Sequence, residues 1–385
     1  MPVRPIRQSD YPGLNRLHRQ VGWPERSQAG WRWLEDNPAR RDIDAPLGWV
    51  VTDHDDEPAA MLGNLIHRFH KDGRSLYGAT GFSIIVPSDR KGASRPLIKA
   101  FLAQPDLFAR YTLNANSRSA PLYGLFGLRP GPMETHALKL SWVVEPLACL
   151  KGRLLRHLWG GVSAQTARGL GEQLMNPRLF EPTRLALPKD VVRLSDVGEA
   201  SAYADFWRAR ADEGRLLADR SPEILAWRLS DPDQTLPPIL LGLMRGGRLV
   251  GTALALMNKT NVIEAPCLDI IDLAALETAP EAVEILAGAL ITNARALGAA
   301  KVRLQVATPA LLDQLGDLTP RARREGGWGH CHALIEHPAL AREWSPTPYD
   351  GDYAVCARPV PVPSNLASRI SRRADAPASQ LARAG

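Results

Sequence analysis

The sequence predicts an α/β fold with mixed sheets, organised as two similar units in tandem. Segments with the 3.6-residue apolar spacing of helices alternate with segments rich in β-branched and aromatic residues, which is typical of α/β layers. Short motifs from the first part of the chain recur in the same order after residue 190, and a repeat with a long period indicates a duplicated unit. The length of 385 residues agrees, since a domain usually takes roughly 100–200.

The order of elements follows from these patterns. In the first unit they predict a strand (3–7), two helices (10–21 and 27–35), three strands (48–53, 59–69 and 76–86), a helix (93–103), a strand (109–115), a helix (119–125) and a strand (135–143). In the second unit they predict a strand pair around the turn 245–248, a strand (268–276), a helix (280–297) and a strand (301–306). Both units therefore interleave helices with a central run of strands.

Three pairs of motifs define the repeat. They are Ile6-Arg-Gln-Ser-Asp10 with Val192-Arg-Leu-Ser-Asp196, Trp31-Arg-Trp-Leu34 with Trp227-Arg-Leu229, and the strand pair 48–63 with the strand pair 239–251. Because the three occur in the same order, chance is a poor explanation. The sequence thus predicts a first unit at 1–145, a basic helical linker at 146–189, a second unit at 190–357 and a disordered tail at 358–385.

Positive charge is concentrated outside the two units. The chain has 47 basic and 41 acidic residues, a net charge of +6, and residues 147–190 and 359–385 together account for all of the excess. The two units are close to neutral. We therefore expect no basic face on the body of the protein and no nucleic-acid partner there, because such binding depends on clustered Lys and Arg.

The linker admits two interpretations. Leu147, Leu150, Leu154 and Leu158 have helical spacing with basic residues around them. The helix is expected either to cover an exposed face of one unit or, at 147–160, to make a weak peripheral contact with an anionic membrane surface. The Pro-rich and Arg-rich residues after 357 cannot bury enough apolar surface to order themselves, and this predicts the tail.

Compartment and metal content are also predicted. The four cysteines are far apart, and no stretch is long and apolar enough for a signal peptide or a membrane span, so we expect reduced thiols and a cytoplasmic location. His330 and His332 lie on one side of a predicted strand, whereas Cys331 faces the other side. Two nearby ligands are too few for a zinc site, and no metal is predicted.

A strand–loop–helix segment carries the first chemical signal. The buried strand 77–87 is followed by the polar turn 88–94 and a helix. Backbone N–H groups of such a turn, with the positive end of the helix dipole behind them, bind phosphate groups. Gly92 permits close approach, and Arg90 and Lys91 add positive charge.

The motifs around this loop resemble the GCN5-related N-acetyltransferase (GNAT) superfamily. The resemblance rests on Val86-Pro-x-x-Arg90-x-Gly92 and on Asn116-x-x-Ser-x-x-Leu-Tyr123-x-x-Phe-Gly-Leu-Arg129. It implies a GNAT-like acyl-CoA transferase fold, acetyl-CoA as the acyl-donor cosubstrate, and Tyr123 as the general acid that protonates the departing thiolate. The residues that it implies for cofactor binding are Ile84, Val86, Arg90, Lys91, Gly92, Ala93, Ser94 and Asn116.

Some positions depart from the family pattern. Asp89 and Ser94 stand where the family usually has Arg or Gln and Gly or Ala, and Asn116 has the alternative role of capping the following helix. The corresponding turn of the second unit, 277–281, has no glycine, two carboxylates and a proline, so it should not bind a diphosphate. One cofactor site, in the first unit, is therefore expected.

The general base is left open by the sequence. Glu35, Asp36, His67 and His70 are candidates, and a positioned water is the other possibility. The leading hypothesis is transfer of an acetyl group from acetyl-CoA to a small-molecule amine or hydroxyl acceptor. The alternatives are a tandem transferase of the peptidoglycan-bridge type that uses aminoacyl-tRNA, and a non-catalytic ligand-binding or scaffold protein. Neither the identity of the acceptor nor the oligomeric state follows from the sequence.

Overall fold

The computed structural model describes residues 2–131, 134–159 and 161–362. In those ranges, no helix has the length and apolar character needed to traverse a bilayer. The predicted α/β class is confirmed, because helices cover two mixed sheets that hold all of the strands in these ranges.

The first half of the chain closely follows the predicted order. Its elements are β1 (Val3–Pro5), α1 (Tyr11–Gln20), α2 (Gln28–Glu35), α3 (Pro38–Asp42), β2 (Gly48–Thr52), β3 (Pro58–Lys71), β4 (Arg74–Ile85), α4 (Ser94–Leu102), β5 (Ala109–Thr112), α5 (Ala120–Leu125), β6 (Arg129–Pro130) and β7 (Leu138–Val143). Two helices follow, α6 (Pro146–Trp159) and α7 (Ala164–Gln173).

The second half repeats this order with additions at its end. Its elements are β8 (Val191–Arg193), α8 (Ala202–Ala211), β9 (Leu217–Ala218), α9 (Pro222–Leu229), β10 (Ile239–Arg245), β11 (Arg248–Asn258), β12 (Cys267–Ala275), α10 (Ala282–Ala294), β13 (Lys301–Leu304), α11 (Pro309–Gln314), α12 (Leu318–Arg321), β14 (Arg323–Gly326), β15 (His332–Ile335) and α13 (Pro338–Glu343). Short 3-10 helices cover Gln8–Asp10, Pro177–Phe180 and Pro348–Asp350.

The two sheets exchange strands. The first has the order β1-β2-β3-β4-β5-β15-β6, with β9 beside β3, and the second has the order β14-β7-β13-β12-β11-β10-β8. Strand β7 from the first half therefore lies in the second sheet, between β13 and β14, while β15 from the second half pairs with β5 in the first sheet. Because each half completes the other's sheet, the two halves share one interface with continuous hydrogen bonding.

A pair of tryptophans marks the symmetry of this interface. Trp33 on α2 and Trp227 on α9 stack with ring centroids 4.5 Å apart, and the indole N–H of each donates to the backbone carbonyl oxygen of the other, at 2.7 and 2.8 Å. Each helix begins after a capping serine, Ser27 or Ser221, whose hydroxyl accepts a backbone N–H. The structural repeat is thus offset by 194 residues here, and it aligns Trp227 with Trp33 rather than with Trp31.

Replacing Trp33 with Ala should reveal how strongly the halves depend on each other. Trp33 is buried, and its loss removes the stacked pair and the indole hydrogen bond to the Trp227 carbonyl oxygen, which keeps only the hydroxyl and backbone N–H of Ser230 as donors. We expect the free energy of unfolding to fall by roughly 3–5 kcal/mol, the usual cost of truncating a core tryptophan. Urea denaturation followed by circular dichroism measures this, and Trp23→Ala, at a partly buried indole outside the stacked pair, should cost much less.

Helix α6 leaves its leucines in solvent. Leu147 and Leu150 are 79% and 65% exposed, and Leu154 and Leu158 are exposed as well. The opposite face contacts the protein through the buried Gly152, and Arg156 forms an ion pair with Glu264 at 2.7 Å. The helix therefore does not use its leucine stripe to cover the described part of the chain.

The end of the described chain lies against the second sheet. Val360 is fully buried in its core, and the Thr235 hydroxyl donates to the Val360 carbonyl oxygen at 2.7 Å. Residues 358–362 of the predicted tail are thus packed, and residues 363–385 lie outside the described residues.

Candidate functional site

Strands β4 and β5 diverge at the middle of the first sheet. They pair in parallel from Gly78–Ala109 to Thr80–Tyr111, and no pairing between them continues beyond that point in the described ranges. On its other side β4 remains paired with β3 as far as Ile85, with an irregularity near Ser83, whose φ of +49° lies in the left-handed region. The edge of β4 after Thr80 therefore has backbone groups without a strand partner on the β5 side.

The predicted phosphate loop lies at the end of β4. Gly92 has a φ of +90°, which favours glycine, and a side chain at this position would point into open space. The N–H groups of Lys91, Gly92 and Ser94 have no acceptor among the described residues. Ala93 is fully buried and precedes α4. The loop therefore presents free amides at a helix N-terminus, which suits an anionic group.

The charged side chains of this loop point outward. Lys91 is exposed, and the Arg90 Nε lies 3.5 Å from the Asp89 carboxylate, which is 73% exposed. The Asp89 carboxylate therefore lies at the surface beside Arg90 and does not cover the amides of the loop. Val86 is partly buried and packs against the core of the first sheet.

A cavity of about 460 Å³, the central cavity, opens where β4 and β5 diverge. Both halves of the chain line it. The first half contributes the turn 23–26, Gly81, Ser83 and Ile84 of β4, and residues from Thr112 to Tyr123; the second half contributes residues 231–234, 258–260, Arg303, Gln305 and the segment 352–359. Of the predicted cofactor residues, Ile84 and Asn116 line this cavity, together with the predicted acid Tyr123.

Tyr123 is placed on α5 with its ring buried. It is 3% exposed, and the ring stacks on His332 of β15 with centroids 6.2 Å apart. Burial raises the pKa of its hydroxyl well above the ordinary value, and the neighbouring carboxylate of Asp352 adds to that effect. Tyr123 is therefore protonated at neutral pH, as a proton donor must be.

Besides Tyr123, the central cavity is lined by other titratable side chains: His18, Glu25, Arg26, Asp231, Asp233, Lys259, Arg303, Asp352, Tyr353, Cys356 and Arg358. Of the carboxyl groups among them, Asp352 has a buried oxygen without a partner in the described part of the chain, and the sequence did not single it out. Its side chain is buried, the Cys356 thiol donates to Oδ2 at 3.2 Å, and Oδ1 has no hydrogen-bond partner in the described part of the chain. Burial raises the pKa of this carboxyl group, while the thiol hydrogen bond acts in the opposite direction. A buried carboxylate with a free oxygen is suited to accept a proton.

Tyrosine hydroxyls hold the segment that carries Asp352. The Tyr111 hydroxyl donates to the Asp350 carbonyl oxygen at 2.7 Å, and the Tyr353 hydroxyl donates to the Leu113 carbonyl oxygen at 2.6 Å. Arg26 adds a hydrogen bond to the Val355 carbonyl oxygen at 2.7 Å. The position of the carboxylate relative to the end of β5 is therefore fixed by buried contacts on both sides.

The bases suggested by the sequence lie elsewhere. His67 is buried beside Arg228, with its Nδ1 3.1 Å from the guanidinium, and burial lowers its pKa well below the usual value. His70 pairs with Asp219 at 3.2 Å, and Glu35 accepts from Gln8. Neither these residues nor Asp36 lines the central cavity.

Asn116 performs the capping role that the sequence left as an alternative. Its Oδ1 accepts the backbone N–H groups of Arg118 and Ser119, both at 2.9 Å, just before α5 begins. The oxygen is therefore occupied by the protein itself. The residue still lines the central cavity, so a ligand there would meet its remaining surface.

The corresponding cleft of the second sheet is filled. Strands β12 and β13 pair from Cys267 to Ile270, and the small space beyond measures about 50 Å³. Arg220 occupies this region with a two-point ion pair to Asp272, at 2.6 and 2.9 Å. At the turn after β12, the backbone N–H of Glu277 donates to the Glu213 carboxylate at 2.7 Å, so a protein carboxylate takes the place where a phosphate would bind.

Comparisons with known proteins give structural matches only. No family model and no curated protein matches the sequence. The chain is similar to N-myristoyltransferase from Saccharomyces cerevisiae with bound myristoyl-CoA, at 11% identity and a TM-score of 0.51, over 86% of this chain and 78% of that one. It is also similar to a GCN5-related N-acetyltransferase from Anabaena variabilis, at 14% identity and a TM-score of 0.49, over 87% and 72%.

A third structure is a probable N-acyltransferase of unknown function from Enterococcus faecalis, at 13% identity and a TM-score of 0.48, over 87% of this chain and 72% of that one. At these identities the similarity establishes the fold alone, and this conclusion rests on the match to the yeast enzyme. The chain has the tandem GNAT fold, and the resemblance found in the loop and α5 motifs is confirmed at that level.

Proposed function

We propose that the protein is an acyl-CoA-dependent acyltransferase with one donor site, in its first half, and that it transfers an acetyl group to a small acceptor amine or hydroxyl. The observation that carries this proposal is the central cavity, where the divergence of β4 and β5 meets a protonated tyrosine, Tyr123, and a buried carboxylate, Asp352, with a free oxygen. The fold and the myristoyl-CoA-bound neighbour support a coenzyme A thioester as the donor.

The residues present fit such a donor. The free amides of Lys91, Gly92 and Ser94 would hold the pyrophosphate, with Arg90 adding charge. The unpaired edge of β4, from Gly81 to Ile85, offers backbone groups to the amides of the pantetheine arm. The filled cleft and the occupied Glu277 amide of the second half support a single donor site.

We assign the two proton transfers of the reaction to Tyr123 and Asp352. When bound, the thioester supplies an acyl carbon activated by a thiolate leaving group. Asp352 takes the proton that the acceptor nitrogen or oxygen loses as its bond to that carbon forms. Tyr123 donates a proton to the sulfur as the carbon–sulfur bond breaks. Each transfer typically contributes about 10²–10⁴-fold in rate, so together they account for much of the catalysis.

A short acyl group suits this cavity better than a long one. Its lining around Tyr123 includes Ser83, Thr112, Asn114 and Asp352. A long hydrocarbon chain against these groups would remove them from water without offering hydrogen bonds, which costs free energy. Acetyl-CoA is therefore the donor that we propose, in preference to myristoyl-CoA.

Calorimetric titration with acetyl-CoA tests the donor site. We expect one site per chain, and we expect Gly92→Glu to abolish binding because a carboxylate would stand at the amides that hold the pyrophosphate. Gly73→Glu is the matched control: Gly73 has a φ of +72° and open space around it, so the backbone strain is equal but the position is a remote hairpin turn. Pro280→Gly, in the second half, should also leave binding unchanged.

Two results would contradict this assignment. One is the absence of binding heat at millimolar acetyl-CoA with folded protein, which would favour a non-catalytic module. The other is equal loss of binding in Gly92→Glu and Pro280→Gly, since that would mean that the donor diphosphate depends equally on the loops of both halves.

A further inference from the structure

A second cavity, of about 440 Å³, is lined by seven basic and two acidic side chains; we call it the basic cavity. Two of the cations are neutralised, Arg156 by Glu264 and Arg303 by Asp269. The other five have no acidic partner within 4 Å among the described residues, namely Lys139, Arg153, Lys301, Arg323 and Arg324. From the near-neutral total charge of the two units we expected no basic face. That expectation was wrong, because the fold brings together cations that are far apart in the sequence.

Strand exchange brings these cations together. Across β13, β7 and β14, Arg303 and Arg323 both pair with Ser141, so the three residues form one row on one face of the sheet. In the neighbouring rows Lys301 pairs with Val143, and Lys139 pairs with Glu325. Like charges side by side on a sheet repel each other. The Glu325 carboxylate, which accepts from the Ser141 hydroxyl at 2.5 Å, offsets part of this repulsion, and a bound anion would offset more of it.

Lys139 is the most deeply buried of the five cations without an ion-pair partner. Its ammonium lies 5.1 Å from the ring centroid of Trp328 and 5.5 Å from that of Tyr353. Burial lowers its pKa to about 8, and the nearby Arg303 adds to this effect. The ammonium is therefore still mostly charged at pH 7, and no carboxylate oxygen lies within 4 Å of it among the described residues.

The basic cavity adjoins the central cavity. Thr260, Arg303 and Gln305 line both of them, and the indole N–H of Trp328 donates to the Ala115 carbonyl oxygen at 2.8 Å, at the wall of the central cavity. A molecule whose nucleophile reaches Asp352 can therefore extend past Arg303 and place another group among the unpaired cations.

We propose that the basic cavity binds the phosphate groups of the acceptor, so that the acceptor is a phosphate-bearing amine or alcohol. That the bound molecule is the acyl acceptor depends on the proposed acyl transfer, whereas the binding of phosphate in the basic cavity does not. Five cations without an ion-pair partner, against the one remaining carboxylate of Glu325, leave an excess of positive charge in the cavity, and a phosphate monoester carries close to two charges on three oxygens. Arginine forks match phosphate geometry, which favours phosphate further.

The phosphate has two possible sources, a soluble ester or a lipid headgroup. Helix α6 bears on this, because Arg153 lines the basic cavity while the leucine stripe of the same helix is exposed. An apolar stripe beside basic residues is typical of helices that rest on anionic bilayers. Soluble and vesicle-bound phosphate therefore form the two arms of the test.

The first arm is calorimetric titration with inorganic pyrophosphate. The double variant Arg323→Gln/Arg324→Gln removes two exposed cations from an edge strand, which the fold should tolerate. We expect its affinity for pyrophosphate to fall about 10- to 100-fold, as loss of two charge-assisted contacts implies. The control Arg248→Gln/Arg321→Gln makes the same change in net charge at exposed residues that do not line the cavity, and it should bind as the wild type does.

Pyrophosphate could also bind at the donor loop, and Gly92→Glu distinguishes the two sites. This variant should keep the pyrophosphate binding that depends on Arg323 and Arg324. If the proposed acyl transfer is wrong, acetyl-CoA should not bind, and this outcome does not depend on the pyrophosphate titrations. The present inference is overturned if pyrophosphate does not bind, if the Arg323→Gln/Arg324→Gln variant binds it as tightly as the control does, or if coenzyme A displaces it from the basic cavity.

The second arm uses sedimentation with vesicles of phosphatidylglycerol and phosphatidylcholine. A lipid source predicts that the protein sediments with the anionic vesicles, and that sedimentation is lost both in Arg323→Gln/Arg324→Gln and in Leu150→Gln/Leu154→Gln. A soluble source predicts pyrophosphate binding that the leucine variant retains, with no sedimentation. Filter binding of tRNA that depends on Arg323 and Arg324, and that exceeds the affinity for pyrophosphate, would overturn the small phosphate acceptor.

Discussion

Replacing Tyr123 with Phe is expected to lower kcat for acyl transfer by about 10²–10⁴-fold, the usual contribution of a positioned general acid. The ring would remain stacked on His332, so folding should be preserved, and only the proton for the departing sulfur is lost. Since the pKa of Tyr123 is raised by burial, the wild type should lose activity only at strongly alkaline pH, as the hydroxyl ionises. The KM for acetyl-CoA should change little.

Tyr77→Phe is the matched control for this variant. Tyr77 is on β4 and its replacement likewise removes one hydroxyl, which donates to Asp42 at 3.1 Å, but Tyr77 lies outside the central cavity. Its kcat should stay within a factor of about two, the effect expected of a surface substitution. Equal kcat values for the two variants would remove Tyr123 from the chemistry.

Replacing Asp352 with Asn is expected to reduce kcat/KM by about 10²–10⁴-fold, because the amide cannot accept the proton of the acceptor. A base works only when deprotonated, and burial raises the pKa of Asp352. Activity of the wild type should therefore fall as the pH drops through that raised pKa, and this acid limb should be absent from the residual activity of the variant. Steady-state rates from pH 5 to 9 give both quantities.

The stability of the same variant separates a catalytic role from a structural one. The charged carboxylate, with Oδ1 unpartnered, is less favourable in the folded state than in the unfolded chain, which is why its pKa is raised. Above that pKa the Asn variant should therefore melt at the same temperature as the wild type or higher, and the difference should vanish in acid, where the wild type is neutral too. A lower melting temperature at pH 8 would indicate a structural carboxylate.

Local patterns were sufficient to predict most of the first sheet. Alternation and helical spacing placed β2 through α5 close to their true bounds, because these elements are stabilised by neighbours that are near in sequence. Strand exchange could not be predicted, since β7 and β15 look like ordinary last strands of their own units. Which sheet receives a terminal strand depends on long-range packing, and a single sequence has no local signal for that.

The site was predicted in part for a similar reason. Tyr123 and the loop around Gly92 lie within one contiguous stretch of the chain, and the motif reveals them. Asp352 reaches the same cavity from a segment more than two hundred residues later, held by Tyr111 and Tyr353. Its only local signal is the short acidic turn Asp350-Gly-Asp352, which is a common surface pattern. The basic cavity has a comparable signal in Lys301 and Arg303, which alternate on one face of a strand.

A crystal structure with bound coenzyme A tests the central claim most directly. We predict the pyrophosphate at the amides of Lys91, Gly92 and Ser94, the pantetheine arm along the free edge of β4, and the thiol in the central cavity near Tyr123 and Asp352. A nucleotide bound in the second half, or a thiol that points away from Tyr123, would contradict the proposed site and the division of proton transfers built on it.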